Sequence, residues 1–153
     1  EDAPALLRGD LQRRARVVAD ACALFEDHLE REWQAGSLSL PMPQGPATVL
    51  LHGHCHQKAL MQMGHEESLL RKMSAKVQSP DAGCCGMAGP FGFTADKFAV
   101  SQAVGERVLL PAVRQASSDT LIVSDGFSCQ EQILQATGRR ALHLAEAMQL
   151  ALH

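Results

Sequence analysis

The sequence predicts an α/β protein with an open, mainly parallel four-stranded sheet, helices on both faces and an N-terminal helix before the sheet. The apolar runs at 47–52 and 120–124 are short and continuous, which is typical of strands buried on both faces. Segments with helical periodicity separate these runs, and strands that alternate with helices form parallel sheets. With 153 residues and 46% apolar composition, the chain is long enough to bury a core.

Residues 1–36 are predicted to form one helix. Charged residues, among them Glu26 and Glu30, fall on one face of it, and apolar residues recur at helical spacing on the other. Those apolar residues are Leu11, Val18, Cys22, Phe25, Leu29 and Trp33. Because Cys22 lies on the apolar stripe, we expect a buried thiol that acts as a small hydrophobe.

Residues 37–46 are predicted to be an extended linker because they contain three prolines, at positions 41, 43 and 46. The linker divides the chain into an N-terminal part, 1–46, and an α/β part, 47–153, which we expect to pack together as one domain. The chain starts at Glu1 without a methionine. We therefore expect a piece of a larger protein.

The α/β part begins with its first strand and ends with a helix. Ser128 and Glu131 fit the S-x-x-E capping box at the start of one helix, and Gly138 is well placed to end it. In order, the predicted elements are a strand at 47–52, a helix at 57–72, a strand at 75–78, a helix from Thr94, a strand at 120–124, a helix to about Thr137, a strand at 140–144 and a final helix.

Four of the five cysteines follow predicted strands. Cys55 comes just after the first strand, Cys84 and Cys85 after the second, and Cys129 after the third. In an open parallel sheet, the carboxyl ends of the strands lie at one edge, which is where ligands bind. We therefore expect these four thiols to meet at one site, without Cys22.

The loop around the adjacent cysteines is rich in glycine. Gly83, Gly86 and Gly89 permit a sharp turn, because glycine accepts a positive φ at little steric cost. They also allow backbone N–H groups to approach anionic sulfur closely, so we predict that these glycines contribute to cofactor binding. Adjacent cysteines are a poor site for a disulfide between distant elements.

Four thiolates in one place indicate zinc or an iron–sulfur cluster. The chain lacks the two short C-x-x-C knuckles of structural zinc sites, and its wide spacing favours a cluster. Cys129, near a helix N-terminus, is expected to ionise easily. A structural zinc-binding or interaction domain and a dithiol–disulfide switch at Cys84 and Cys85 remain alternatives. A Cys–His hydrolase built on Cys55 would not need the other three thiols.

Three histidines, His52, His54 and His56, alternate around Cys55. They either hydrogen-bond the backbone and cover the site, or act as ligands or proton relays. Asp125 precedes the helix that carries Cys129, where it either caps or turns the chain or tunes the electrostatics of that cysteine.

These residues resemble the cysteine-rich CCG domain family, whose members include a subunit of heterodisulfide reductase and the iron–sulfur subunit of glycolate oxidase. The family pattern is an early Cys, then Cys-Cys-Gly, then a late Cys-x-x-Cys. Here Cys55, Cys84-Cys85-Gly86 and Cys129 match it, while Gly126 stands in place of the first late cysteine. The phrases HGHCHQKAL, DAGCCGMAGPFGF and SDGFSCQEQI look closer still to the C-terminal iron–sulfur region of FAD-linked oxidases.

The resemblance covers about residues 20–152 and implies an electron-transfer domain. It implies a single [4Fe-4S] cluster held by Cys55, Cys84, Cys85 and Cys129, or part of a site that another domain completes. The partner would be the FAD domain of the same polypeptide, acting on a D-2-hydroxy acid such as D-lactate or D-2-hydroxyglutarate. The electrons would pass to a quinone, a cytochrome or another carrier. The sequence contains no flavin fingerprint, so we expect no dehydrogenase activity from this chain alone.

The composition excludes several other classes of partner. A net charge of −3 gives no electrostatic reason to expect nucleic acid or a membrane surface. No apolar run is long enough to span a bilayer. An odd number of cysteines without a secretory leader favours a reducing cytosol over a disulfide framework. We expect a cytoplasmic protein that the full-length polypeptide could hold at the periphery of the inner membrane.

Overall fold

The computed structural model describes residues 2–41, 45–60, 63–74 and 76–152, without the side chain of Leu60. Pro43 of the predicted linker and Ala75 of the predicted second strand lie outside these residues. The helices are α1 (Ala3–Leu6), α2 (Gly9–Ala21), α3 (Phe25–Gln34), α4 (Cys55–Leu60), α5 (Gly64–Met73), α6 (Phe98–Gly105), α7 (Leu109–Gln115), α8 (Phe127–Thr137) and α9 (Leu144–Ala151). The strands are β1 (Thr48–Leu51), β2 (Lys76–Gln78) and β3 (Leu121–Val123).

The chain forms two compact units, residues 1–38 and 39–153. The predicted division at 46–47 and the packing of both parts as one domain stay predictions. No helix in the described ranges is long and apolar enough to cross a membrane.

The first unit contains three helices where the sequence predicted one. The break after Ala21 leaves Cys22 in an extended conformation, with φ −81° and ψ 135°, and the next helix starts at Phe25. The prediction of a buried Cys22 is therefore wrong, because this thiol is exposed. Glu26 and Glu30, which the sequence had placed on the charged face, are buried.

The second unit is built on a parallel sheet in the order β2-β1-β3. In the centre, Val49 of β1 pairs with Val77 of β2 on one side and with Leu121 of β3 on the other. The prediction of an open parallel sheet is confirmed, but the described residues form three strands and not four. At the fourth predicted position, only Leu142 bridges to Val123, because His143 already caps helix α9 and ends the extended segment.

Both faces of the central strand are covered. Val49, Leu50 and Leu51 point alternately to opposite faces, and each is at most 1% exposed. On one face, Leu50 and Ile122 belong to a core with buried residues of α7 and α8. Helices α5 and α9 contact each other and also contact β2 and β3, respectively.

Several predicted helices are shorter than expected. The helix predicted at 57–72 consists of α4 and α5, and the helix from Thr94 consists of α6 and α7. Helix α8 begins at Phe127 with Gly126 at its N-cap and no side-chain cap, so the proposed capping role of Ser128 is wrong. Gly138 ends α8 in the left-handed conformation, at φ 71°, as predicted.

Candidate metal centre

The four cysteines reach the carboxyl edge of the sheet from three segments. Cys55 is the first residue of α4, directly after β1, and Cys129 is the third residue of α8, after β3. Cys84 and Cys85 lie in the loop after β2. The arrangement follows from the parallel sheet, since each β-to-α turn leaves a strand at the same edge.

The thiols contact one another in a row. Cys84 interacts electrostatically with Cys55 and Cys85, and Cys85 interacts with Cys129. Cys85 and Cys129 are buried, whereas Cys55 and Cys84 are partly exposed. The site is therefore closed on the side of α8 and open on the side of α4.

All five cysteines are free. Within the described residues, no three or more His, Cys, Asp or Glu side chains are arranged to hold one metal ion. The structure brings the four predicted cysteines together, and their role as ligands stays a prediction.

The pKa values of Cys85 and Cys129 are shifted in opposite directions. The Cys129 thiol donates a hydrogen bond to Cys85, and this bond, together with the Met87 N–H, lowers the pKa of Cys85 to about 6 against the cost of burial. The same bond, together with burial, raises the pKa of Cys129 far above its ordinary value. The expectation that Cys129 ionises easily is therefore wrong, because its proton is held by its neighbour.

Titration of the reduced, metal-free protein should reveal this pair. Thiolate absorbance near 240 nm is expected to rise with a midpoint near pH 6, as Cys85 loses its proton. Cys129→Ala removes the donor and should move that midpoint toward the ordinary value of 9.0, while Cys129→Ser keeps an O–H donor and should move it less. Cys22→Ser is the control, and the absence of any thiolate below pH 8 in the wild type would contradict the assignment.

The three predicted glycines differ in their surroundings. Gly86 is buried at φ +103° and donates its N–H to Cys84 Sγ at 3.3 Å. A Cβ on Gly86 would lie 2.0 Å from the Ser101 carbonyl oxygen, so only glycine fits there. Gly83 and Gly89 are exposed, with no atom within 4 Å of a built Cβ. The close approach of backbone to sulfur therefore occurs at Gly86, and cofactor binding by these glycines stays a prediction.

Sequence reasoning missed Gln132, which is fully buried beneath the cysteine loop. Its Nε2 donates to the Cys85 carbonyl at 3.1 Å and to the Ser101 carbonyl at 3.2 Å, and its Oε1 accepts from Gln102 Nε2 at 3.2 Å. Gln132 thus joins the loop to α6 and α8. Its position three residues after Cys129 on the same helix was the available signal, because such residues share a face.

Lys58 is a second residue that the sequence analysis passed over. It follows Cys55 by three residues on α4 and donates from Nζ to the carbonyl of Ala82. This contact ties the helix after β1 to the loop that carries Cys84 and Cys85.

The three histidines occupy different environments. His52, at the end of β1, is 1% exposed, and neither ring nitrogen has a partner among the described residues. Burial, followed by the charges of Lys58 and His54, lowers the pKa of His52 to about 4, so this imidazole is neutral at physiological pH. His54 is partly exposed and His56 is exposed.

Asp125 caps a helix, but not the one that follows it directly. Its Oδ1 accepts from the Leu144 N–H at 2.7 Å, at the start of α9. Burial raises the pKa of Asp125, which the Leu144 N–H opposes. His143, which gave no signal in the sequence, caps the same helix by accepting from the Ala145 N–H at 3.1 Å.

No family model matches this chain, and no solved structure matches it. It is 30% identical over 136 residues to a subunit of the anaerobic glycerol-3-phosphate dehydrogenase of Escherichia coli K12, over 81% of this chain and 34% of the relative. It is 25% identical over 122 residues to D-2-hydroxyglutarate dehydrogenase of Pseudomonas putida, over 78% of this chain and 12% of the relative. The D-2-hydroxyglutarate dehydrogenase of Escherichia coli K12 is 26% identical over 131 residues, again over 12% of the relative.

The chain is related to dehydrogenases. It spans about a third of the glycerol-3-phosphate dehydrogenase subunit and about an eighth of each D-2-hydroxyglutarate dehydrogenase. The expected similarity to D-2-hydroxyglutarate dehydrogenases is found. The match to their C-terminal iron–sulfur region and the CCG family assignment stay predictions.

Proposed function

We propose that this chain is the iron–sulfur electron-transfer domain of a flavin-linked dehydrogenase. The observation that carries the proposal is the row of four thiols, Cys55, Cys84, Cys85 and Cys129, at the carboxyl edge of a parallel sheet. In a four-iron cluster each cysteine binds a different iron atom, so four thiols delivered by three segments fit this group. The distant dehydrogenase relatives support the same assignment.

The residues around the thiols suit a bound anionic cluster. Metal ligation requires thiolates, and Cys85, with its pKa near 6, is already ionised at neutral pH. The N–H groups of Gly86 and Met87 donate to Cys84 and Cys85, and hydrogen bonds of this kind to ligand sulfurs tune a reduction potential. A bound cluster would supply one-electron redox chemistry, while the chain holds it, shields the α8 side and leaves the Cys55 side accessible.

We further propose that the flavin partner oxidises a D-2-hydroxy acid. Three of the relatives are named D-2-hydroxyglutarate dehydrogenases. Removal of two electrons and two protons from the secondary alcohol gives the keto acid and reduced flavin. This domain would carry the electrons onward one at a time to a quinone, cytochrome or other carrier.

Anaerobic reconstitution with iron and sulfide tests the proposal. We expect about four irons and four sulfides per chain, and an EPR signal after reduction. Cys129→Ser should sharply reduce the iron content, and Cys22→Ser should not. A colourless protein with one zinc per chain would instead indicate a structural domain, and a reversible loss of two titratable thiols on oxidation, without iron, would indicate a dithiol switch at Cys84 and Cys85.

A further inference from the structure

We propose that the Ser124 hydroxyl donates a hydrogen bond to the sulfur of Cys129 when that cysteine is a metal ligand, and so helps to set the reduction potential of the site. The inference rests on the proposed function, because it assigns a role to a residue beside the same thiols. Ser124 is a positioning residue that acts through Cys129, and it does not bind the metal itself.

Ser124 is a buried residue whose hydroxyl has nothing to bond to. The residue is 0% exposed, and its Oγ has no hydrogen-bond partner within the ranges that the structure describes. Buried hydroxyls are nearly always hydrogen-bonded, because leaving one unpaired costs free energy. With the cysteines free, the fold therefore holds a donor that it does not use.

The strand places this hydroxyl on the face of the sheet that carries two of the thiols. Ile122 of β3 belongs to the core that also contains Cys85 and Cys129. Alternate residues of an extended strand point to the same face, so Ser124, two residues later, points toward that core. Gln130 Nε2 donates to the Ser124 carbonyl at 2.7 Å and ties the end of the strand to α8.

The hydroxyl lies close enough to the Cys129 sulfur to influence it. Cys85 and burial raise the pKa of Cys129, and the Ser124 hydroxyl lowers it, as a donor to the thiolate does. While Cys129 keeps its own proton, its sulfur is a weak acceptor. A cysteine that binds metal has lost that proton, and its anionic sulfur is then a strong acceptor for the waiting hydroxyl.

Ser124 would extend a set of donors that already surrounds the thiols. In the cysteine loop, the Gly86 N–H donates to Cys84 at 3.3 Å and the Met87 N–H donates to Cys85. Donors of this kind stabilise the negative charge that a cluster gains on reduction, and so raise its potential. The donor for the thiol on α8 is a side chain, which one substitution can remove.

The first part of the test uses the urea midpoint of the reduced, metal-free protein. Ser124→Ala removes a hydroxyl without a partner, so the midpoint should stay the same or rise. Ser101→Ala is the matched control, since Ser101 is also 0% exposed but its Oγ accepts from Gln132 Nε2 at 3.3 Å, and its midpoint should fall. Equal falls in both variants would show that the Ser124 hydroxyl is already bonded, and would overturn the proposal.

The second part uses protein reconstituted with iron and sulfide. Ser124→Ala should keep its iron, while the ratio of reduced to oxidised protein at a fixed potential falls by about three- to tenfold. Ser124→Thr keeps the hydroxyl and should recover most of this shift, and Ser117→Ala, before β3 at the opposite edge of the sheet, should show none.

An unchanged potential in Ser124→Ala, or the loss of its iron, overturns this inference alone. A wild type that binds no iron overturns the proposed function and, with it, the role of Ser124.

Discussion

Gly86→Ala is expected to lower the free energy of unfolding by about 4 kcal/mol, which combines the cost of a left-handed φ with that of overpacking. The φ of +103° is one that L side chains rarely adopt, and the new Cβ would lie 2.0 Å from the Ser101 carbonyl oxygen and 3.1 Å from Gln132 Nε2. Both neighbours are buried, so neither can move cheaply. Urea denaturation of the reduced, metal-free protein, followed by circular dichroism, measures the loss.

Two other glycines of the same loop are matched controls for this substitution. Gly83→Ala meets no atom within 4 Å and no positive φ, so it should change stability by less than about 0.5 kcal/mol. Gly89→Ala also has open space but a φ of +62°, and should cost about 1 kcal/mol. Equal losses at positions 83 and 86 would show that the loop is not clamped against α6 and α8.

His52 should make the protein sensitive to mild acid. Its pKa of about 4 in the folded state lies below the ordinary 6.5, so between these values the unfolded chain binds a proton that the folded chain does not. Above about pH 7 this residue does not lower the free energy of unfolding. Below that pH the free energy of unfolding falls, because the unfolded chain gains the proton first. The loss attributable to this residue is about 2 kcal/mol at pH 5.

His52→Leu removes this titration. Between pH 8 and pH 5 the variant should therefore lose about 2 kcal/mol less of its free energy of unfolding than the wild type. At pH 8 the variant should be at least as stable as the wild type, because it also removes two buried nitrogens without partners among the described residues. Urea midpoints at pH 8 and pH 5 provide the comparison. The control His56→Leu should keep the acid loss, since the buried ring is still present, and an unchanged acid limb in His52→Leu would refute the assignment.

The sequence was sufficient to predict the parallel sheet and the meeting of the four thiols, because both depend on local patterns. The apolar run around Val49 is long enough to identify a buried strand, and cysteines that follow successive parallel strands must reach one edge. Gly138 was identified because a single φ angle decides the end of a helix there.

The failed predictions concern competition between alternatives that lie close in free energy. Residues 140–144 can form a strand or cap a helix, and the bonds from Leu144 to Asp125 and from His143 to Glu146 favour the cap. Helix α2 ends at Ala21, α3 begins at Phe25, and the apolar spacing runs across this break, so it did not reveal the break.

The electrostatics of the site were not predictable for a similar reason. Helix position favoured ionisation of Cys129, but the hydrogen bond to Cys85 outweighs it, and that bond exists only in the assembled fold. The role of Gln132 likewise depends on two carbonyls, of Cys85 and Ser101, that are remote from it along the chain.

The order of the segments along the chain also sets the order in which the thiols emerge during synthesis. Cys55, Cys84 and Cys85 leave the ribosome first. Cys129 and Gln132, which binds the Cys85 carbonyl, follow together on α8. Until that helix docks, the vicinal thiols are uncovered and open to oxidants. A cluster of the kind proposed above would therefore be held by all four thiols only after α8 has been synthesised and has docked.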